Sequence, residues 1–130
     1  MRIRRSRENR IINYYKDRNK IKRLKYEIEV LENSINDLEC CISHENRIDI
    51  ESILKKNKRM VIDKKLKLNE MINKNMSLEA YIITMNKDDK KLCELRYAKE
   101  LGYQEIGSIM HMSNSTVSRR LTSILEEVNC

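Results

Sequence analysis

The near absence of glycine and proline most constrains what this chain of 130 residues can fold into. It contains no proline and two glycines, Gly102 and Gly107. Because glycine and proline end helices and form the tight turns of sheets and loops, so few of them predict an almost wholly helical protein. The chain also has no Trp and no Phe, and 36% of its residues are charged. Long, thin helical packing suits this composition better than one bulky core, so we predict an all-α fold.

A regular apolar repeat begins at residue 21. Ile and Leu follow one another at spacings of three and four: Ile21, Leu24, Ile28, Leu31, Ile35, Leu38 and Ile42. This spacing keeps one narrow apolar stripe along a helix, as in a coiled coil. In a parallel homodimer, however, Lys20 would face Lys25 and Glu27 would face Glu32, and both pairs repel. The stripe predicts a packed helix, and the charges disfavour a parallel pair.

The charge distribution indicates a partner for this helix within the same chain. Residues 27–51 carry one Lys or Arg against eight Asp or Glu, net −7, whereas residues 52–76 carry eight against two, net +6. Residues 43–49 contain Ser, Asn and Asp, which favour a turn and a helix cap. The second segment has apolar positions of its own: Ile50, Ile53, Leu54, Met60, Val61, Leu68, Met71 and Ile72. We predict an N-terminal arm over residues 1–76 that folds as an antiparallel hairpin; a coiled-coil homodimer through the same stripe is the alternative.

The pattern changes at residue 77, and we predict a small four-helix domain over residues 77–130. Ser77 is a candidate cap for its first helix, and Asp88 or Asp89 for its second. Gly102 is expected to end the second helix as its C-terminal cap. The expected core is apolar: Leu95, Ile106, Ile109, Met112, Val117, Leu121 and Ile124.

The last two predicted helices, near residues 103–110 and 114–128, have the features of a helix-turn-helix. Such a motif needs a small residue where the helices approach, a tight turn, and apolar anchors on the second helix. Gly107 meets the first requirement, the turn is expected at His111, and Ser113 is the expected cap. A histidine at this turn must adopt a left-handed backbone, which lowers the stability of the turn.

The outward face of this motif carries side chains that suit a DNA groove. Arg pairs with guanine, Asn pairs with adenine, and hydroxyls bind bases or phosphates. Arg120, and Tyr103 and Gln104 at the start of the supporting helix, are better placed for phosphates. The predicted contacts to double-stranded DNA are Tyr103, Gln104, Ser113, Asn114, Ser115, Thr116, Ser118, Arg119, Arg120 and Thr122.

The predicted DNA-binding domain carries little positive charge of its own. Residues 77–130 contain seven Lys or Arg against eight Asp or Glu, net −1, whereas residues 1–26 contain eleven against two, net +9. Because DNA affinity depends strongly on phosphate contacts, we expect the basic start of the chain, or a second protomer, to supply them.

Residues 92–128 resemble region four of bacterial sigma factors. The resemblance rests on Leu95-Arg96-Tyr97, on Tyr103-Gln104-Glu105-Ile106-Gly107 and on Ser113-Asn114-Ser115-Thr116-Val117. It implies that Asn114, Ser115, Ser118 and Arg119 read a promoter element. The sequence departs from the family at Gly107, where alanine is usual, and at His111, where glycine is usual.

Residues 13–31 are similar to the N-terminal helix of phage late-gene regulators of the RinA/ArpU type. This resemblance implies a phage or prophage late-gene activator that acts at a promoter with RNA polymerase. Two other classes stay open: a small terminase-like DNA-packaging subunit, and a coiled-coil adaptor that binds RNA polymerase.

An enzyme is not predicted. The sequence has no Gly-rich phosphate loop and no nucleophile with a nearby base. Its cysteines and histidines lack metal-ligand spacing, so we expect reduced thiols and no metal or cofactor: Cys40, Cys41, Cys93, Cys130, His44 and His111. No apolar stretch is long enough to span a membrane, and no signal peptide follows the basic start, so we expect a cytoplasmic protein.

Overall fold

The computed structural model of the chain describes residues 2–128, and it describes side chains from residue 5 onward. This part of the chain is helical and contains no strand, which confirms the predicted all-α fold. The α-helices are α1 (Arg2–Cys40), α2 (Arg47–Thr84), α3 (Lys87–Cys93), α4 (Tyr103–Met110) and α5 (Asn114–Glu127). A π-helical turn, Glu94–Ala98, continues directly from α3.

The chain forms two compact units. The hairpin unit is Asn19–Lys74, and the core unit combines the chain up to Arg18 with the chain from Asn75 onward. Helices α1 and α2 each contribute residues to both units. The core unit therefore includes the basic start of α1, which the sequence pattern assigned to the arm.

In the hairpin unit, residues 19–40 of α1 pack antiparallel against residues 47–74 of α2. The residues buried between them are Ile28, Ile35, Ile50, Leu54 and Val61, with Leu31, Leu38, Ile42 and Leu68 partly buried. Ion pairs join Glu27 to Lys64 at 2.8 Å, Glu32 to Lys65 at 3.7 Å and Glu39 to Lys58 at 3.5 Å. Such exposed pairs contribute a few tenths of a kcal/mol, so the apolar stripe supplies most of the stability. The single chain adopts the predicted hairpin.

Charge pairing and the turn agree with this arrangement. The hydrogen bond from Lys64 lowers the pKa of Glu27. Between the helices, the backbone N–H of Ser43 donates to Asn46 Oδ1 at 2.7 Å, and Asn46 Nδ2 donates to the Cys41 carbonyl at 3.1 Å. Asn46 therefore closes the turn from both sides, within the segment predicted to turn.

The core unit buries residues from all five helices and from the π-helical turn. They are Ile11, Tyr14, Tyr15, Leu78, Ile82, Leu92, Cys93, Leu95, Tyr97, Ile106, Val117, Leu121, Ile124, Leu125 and Val128. The predicted burial of Ile109 is wrong, because its side chain is 45% exposed. Helix α4 turns Ile106, Gly107 and Met110 towards the core, which leaves Ile109 at the edge of that face.

Two predicted helix starts are wrong. Ser77 lies inside α2 and caps no helix; its Oγ accepts a hydrogen bond from Arg10 at 2.7 Å. No glycine or proline interrupts α2 there, and the buried Leu78 and Ile82 extend its apolar face. The cap of α3 is Asn86, whose side chain accepts from the backbone N–H of Asp89 at 2.8 Å.

The predicted role of Gly102 as a C-terminal cap is also wrong. Gly102 is the N-cap of α4 and has a φ of −76°. The left-handed residue is Glu100, with a φ of 59°. It comes two positions earlier because the preceding helix ends in the π-helical turn, where the Lys99 N–H donates to the Glu94 carbonyl at 3.0 Å.

The cysteines of the described residues are free thiols. Cys40 and Cys41 are exposed, whereas Cys93 is buried, and burial raises the pKa of its thiol to about 12. Cys130 lies outside the described residues.

Between residues 2 and 128, no helix is long and apolar enough to cross a membrane. Within the same range, no group of three His, Cys, Asp or Glu side chains is arranged to hold a metal ion.

Candidate nucleic-acid interface

Helices α4 and α5 are joined by a turn of three residues, His111, Met112 and Ser113. His111 adopts the left-handed conformation, with φ 57° and ψ 47°. The N–H groups of His111 and Met112 both donate to the Gly107 carbonyl, the latter at 2.9 Å. The bond from Met112 is the six-to-one bond of a Schellman motif, which satisfies a carbonyl at the end of α4. The turn therefore lies where the sequence pattern predicts it.

Gly107 permits the close approach of the turn to α4. A Cβ atom at this position would lie 2.5 Å from the Met112 carbonyl oxygen and 3.6 Å from Asn114 Oδ1. The first distance is shorter than any stable contact, and the opposing atom belongs to the backbone. Glycine is thus required here by packing, whereas the sequence pattern indicated only that a small residue is needed.

Ser113 caps α5. Its Oγ accepts a hydrogen bond from the Thr116 N–H at 3.2 Å. The same Oγ lies 2.8 Å from Thr116 Oγ1 and 3.2 Å from Ser115 Oγ. Three of the predicted DNA contacts therefore form one hydroxyl cluster at the start of α5, where the positive end of the helix dipole favours an anion.

The two faces of α5 divide as the pattern predicts. Val117, Leu121, Ile124 and Leu125 are buried. On the other side, Asn114, Ser115 and Arg119 are exposed, and Ser118 and Thr122 are half-buried. The exposed side chains are donors and acceptors that suit a groove of DNA.

Arg120 has a partner that the sequence pattern did not indicate. Its Nη2 lies 3.4 Å from Asp89 Oδ1, and its Nη1 lies 3.8 Å from Met112 Sδ. The guanidinium therefore ties α5 to α3 and to the turn. The phosphate contact of Arg120 stays a prediction. A phosphate would have to compete with Asp89 for the guanidinium.

Tyr103 and Gln104 lie in the first turn of α4. Gln104 is exposed, while the ring of Tyr103 is half-buried with the Arg96 guanidinium 4.6 Å from its centroid. Arg96 Nη1 also donates to the Leu101 carbonyl at 3.1 Å. Arg96 thus holds both the loop before α4 and the ring of Tyr103. Sequence reasoning missed this role, although Arg96 is part of the Leu-Arg-Tyr motif.

Three cations at the start of α1 are engaged within the core unit. Arg7 Nη1 donates to the Leu125 carbonyl at 3.2 Å and to the Glu126 carbonyl at 3.3 Å. These carbonyls end α5, where a cation is favoured by the helix dipole. Arg10 donates to Ser77, and Arg18 pairs with Glu94 at 3.4 Å. The basic start is therefore partly structural, which its charge alone did not reveal.

Comparison with known proteins assigns a family to the chain. A family model with the description "Protein of unknown function (DUF722)" matches residues 42–129. No curated protein and no solved structure matches the chain. Because the match spans more than half of the 130 residues, the chain belongs to the DUF722 family.

Proposed function

We propose that this DUF722 family member is a sequence-specific DNA-binding regulator of transcription. In this proposal α4, the turn and α5 are a helix-turn-helix, and α5 is the recognition helix that enters the major groove. The resemblance to sigma region four and to RinA/ArpU-type regulators extends the proposal to a phage or prophage late-gene activator that acts with RNA polymerase.

One observation carries the proposal: the close contact between Gly107 and the Met112 carbonyl. It fixes α5 against α4 through a left-handed turn, and the first residues of α5 are exposed. A helix that inserts into a groove needs a rigid support, because base contacts depend on orientation.

The side chains of α5 suggest how the readout works. Arg119 is a candidate for a bidentate pair with guanine, and Asn114 for one with adenine. The hydroxyl cluster of Ser113, Ser115 and Thr116 suits a phosphate at the positive end of the helix. Each bidentate pair contributes about 1–3 kcal/mol of discrimination against the wrong base.

Selection of bound sequences from a random DNA pool tests the proposal. We expect the wild-type protein to select a defined site, and the Arg119→Ala and Asn114→Ala variants to lose preference at one position each, by roughly 5- to 150-fold. Arg59→Ala is the matched control, because Arg59 is exposed in the hairpin unit and carries the same charge. If the wild type selects no sequence, or if both variants keep its preference, the proposal is wrong.

The mass of the protein in solution separates the alternatives. A ring of eight or more subunits would indicate the terminase-like packaging class. Binding to RNA polymerase without any DNA preference would indicate the adaptor class. A monomer or a dimer that selects a site agrees with the proposal, and a palindromic site would indicate that the dimer is the active form.

A further inference from the structure

We infer that the exposed face of α1 in the core unit binds the phosphate backbone of DNA. This face, the α1 polar stripe, consists of Arg5, Asn9, Asn13 and Lys16. The inference rests on the proposed function, and it assigns a second contact to the same partner.

Helical spacing puts these residues on one side of α1. They follow at intervals of four, four and three, which is the spacing of one helix face, and all are exposed. Arg5 and Lys16 are separated by about 16 Å along the helix axis. That length equals about five base-pair steps along the axis of a DNA duplex, so the stripe is long enough for more than one phosphate contact.

The cations of this face have no partner among the described side chains, residues 5–128. Among the residues that the structure describes, neither Arg5 nor Lys16 forms an ion pair or a side-chain hydrogen bond, whereas Arg7, Arg10 and Arg18 are engaged inside the core unit. Their positive charge is therefore available to a ligand, and Asn9 and Asn13 add amide donors between them.

No carboxylate interrupts the stripe. The acidic residues of this part of α1 are Glu8 and Asp17, which lie beside the stripe, three positions after Arg5 and four after Asn13, but neither side chain is exposed. Asp17 is buried and accepts a hydrogen bond from Asn75 Nδ2 at 3.0 Å, and Glu8 is half-buried. A face of cations and amides without acids suits a continuous polyanion better than it suits a mixed protein surface.

The core unit also needs such a contact. Its candidate recognition helix has one exposed cation, Arg119, because Arg120 is held by Asp89. Arg7 fastens α1 to the last carbonyls of α5, so the stripe and the recognition helix belong to the same compact unit. Phosphate contacts by the stripe would hold the recognition helix on DNA without adding sequence information.

The Arg5→Gln/Lys16→Gln double variant tests this inference through the salt dependence of binding. We expect weaker binding and a slope of log K against log salt that is shallower by about 1.8, since each lost phosphate contact changes it by about 0.9. The sequence selected from a random pool should be unchanged. The Asn9→Ala/Asn13→Ala variant should bind more weakly with an unchanged slope, because amides release no counterions.

Lys55→Gln/Lys56→Gln is the matched control. Both lysines are exposed in the hairpin unit, and the variant removes the same number of positive charges as the Arg5→Gln/Lys16→Gln variant. An equal loss of slope in this control, or a wild-type slope in the Arg5→Gln/Lys16→Gln variant, would overturn the inference. Thermal unfolding checks that each variant is folded.

The same measurements keep the two proposals apart. If the wild type selects a site while the stripe variant keeps the wild-type slope, the inference fails and the proposed function stands. If the wild type binds DNA without preference, and with a slope that depends on the stripe, the proposed function fails and the inference stands.

Discussion

Gly107 lies in the middle of α4, where glycine lowers helix stability by about 1 kcal/mol relative to alanine. Its position is explained by the turn that follows, since the Met112 carbonyl approaches to the point where a Cβ atom would be 2.5 Å away. His111 supports that approach from a left-handed backbone, although it is not glycine. Gly107 and His111 are each unfavourable for local stability, but together they permit the tight turn between α4 and α5.

The Gly107→Ala substitution should destabilise the protein. Helix propensity alone predicts a gain, but the new methyl group meets a backbone oxygen that cannot move without opening the turn. Overpacking of this kind costs about 1–3 kcal/mol. Urea unfolding would measure the change. Gly102→Ala is the control, because its Cβ would meet only Glu105 Oε1 at 3.8 Å, and we expect a loss of no more than about 1 kcal/mol from the weaker N-cap. A more stable Gly107→Ala protein would contradict the close approach.

Tyr97 carries a buried hydroxyl group that does not contribute to the stability of the fold. Its side chain is 5% exposed, and its hydroxyl has no hydrogen-bond partner among the described residues. Replacing it with phenylalanine keeps the ring and removes an unsatisfied buried group, so Tyr97→Phe should stabilise the protein by about 1 kcal/mol. Tyr81→Phe, which removes a 2.9 Å hydrogen bond to Glu127, should give no such gain. Thermal unfolding of both variants compares them, and a destabilised Tyr97→Phe protein would rule out the prediction.

At the scale of elements, α2 continues through Ser77, a residue of the type that often caps the start of a helix. Ser77 resembles a start signal, yet α2 continues to Thr84, because Leu78 and Ile82 are buried in the core unit. The next helix starts where Asn86 leaves the helical conformation and caps α3. A cap therefore takes effect only where the chain has to change direction.

The Asn86→Ala substitution should cost about 1 kcal/mol, because it removes the side chain that accepts from the Asp89 N–H. Ser77→Ala is the matched control and should change stability by less than about 0.5 kcal/mol, because Ser77 caps no helix, its hydrogen bond from Arg10 is exposed, and alanine has the higher helix propensity. The free energy of unfolding in urea measures both. A larger loss for Ser77→Ala than for Asn86→Ala would indicate a helix start at residue 77.

At the scale of the whole molecule, the start of α1 belongs to the fold of the C-terminal segments. Ile11 is fully buried, and Tyr14 and Tyr15 are 7% and 3% exposed. Burying three such side chains contributes about 1.5–3 kcal/mol each, which together is comparable to the stability of a small domain.

Removal of residues 1–18 should therefore unfold the core unit. We expect the 19–130 fragment to lose amide-exchange protection in α3, α4 and α5, and to lose its cooperative transition in circular dichroism. Such a deletion cannot isolate a phosphate contribution, which is why the stripe is tested by substitution. Full protection of α5 in the fragment would contradict the packing of α1.

Three tyrosines with raised pKa values, together with Cys93, should make the core unit sensitive to alkali. Burial raises the pKa of Tyr15, Tyr81 and Tyr97, and it raises the pKa of Cys93 to about 12. In the unfolded chain these groups lose their protons near pH 9–10, about the ordinary range. The folded state keeps those protons longer, so its stability is complete below about pH 9 and falls as pH rises through the raised values.

Urea unfolding at a series of pH values from neutral to strongly alkaline would measure this loss. The Tyr97→Phe protein should lose less stability over the same range, because one of the titrating groups is gone. A free energy of unfolding that stays constant above pH 10 would contradict the burial of these groups.

The features that depend on local periodicity could be predicted from the sequence. Helicity follows from the scarcity of glycine and proline, and the two faces of α5 follow from apolar residues at helical spacing. An apolar stripe with an acidic block before the turn and a basic block after it favoured the antiparallel hairpin, and it left a homodimer through the same stripe as the alternative. Each of these signals lies within a few helical turns, or in the order of adjacent segments, where a pattern can be read.

The tertiary structure decided which distant residues meet. Arg7 reaches the carbonyl of Leu125, which is 118 positions away, and Arg120 reaches Asp89 rather than solvent. The exposure of Ile109 and the close contact that disfavours any side chain at residue 107 depend on the same packing. Contacts of this kind leave no periodic pattern in the sequence, because they arise where segments that are distant in sequence pack against one another to bury apolar surface.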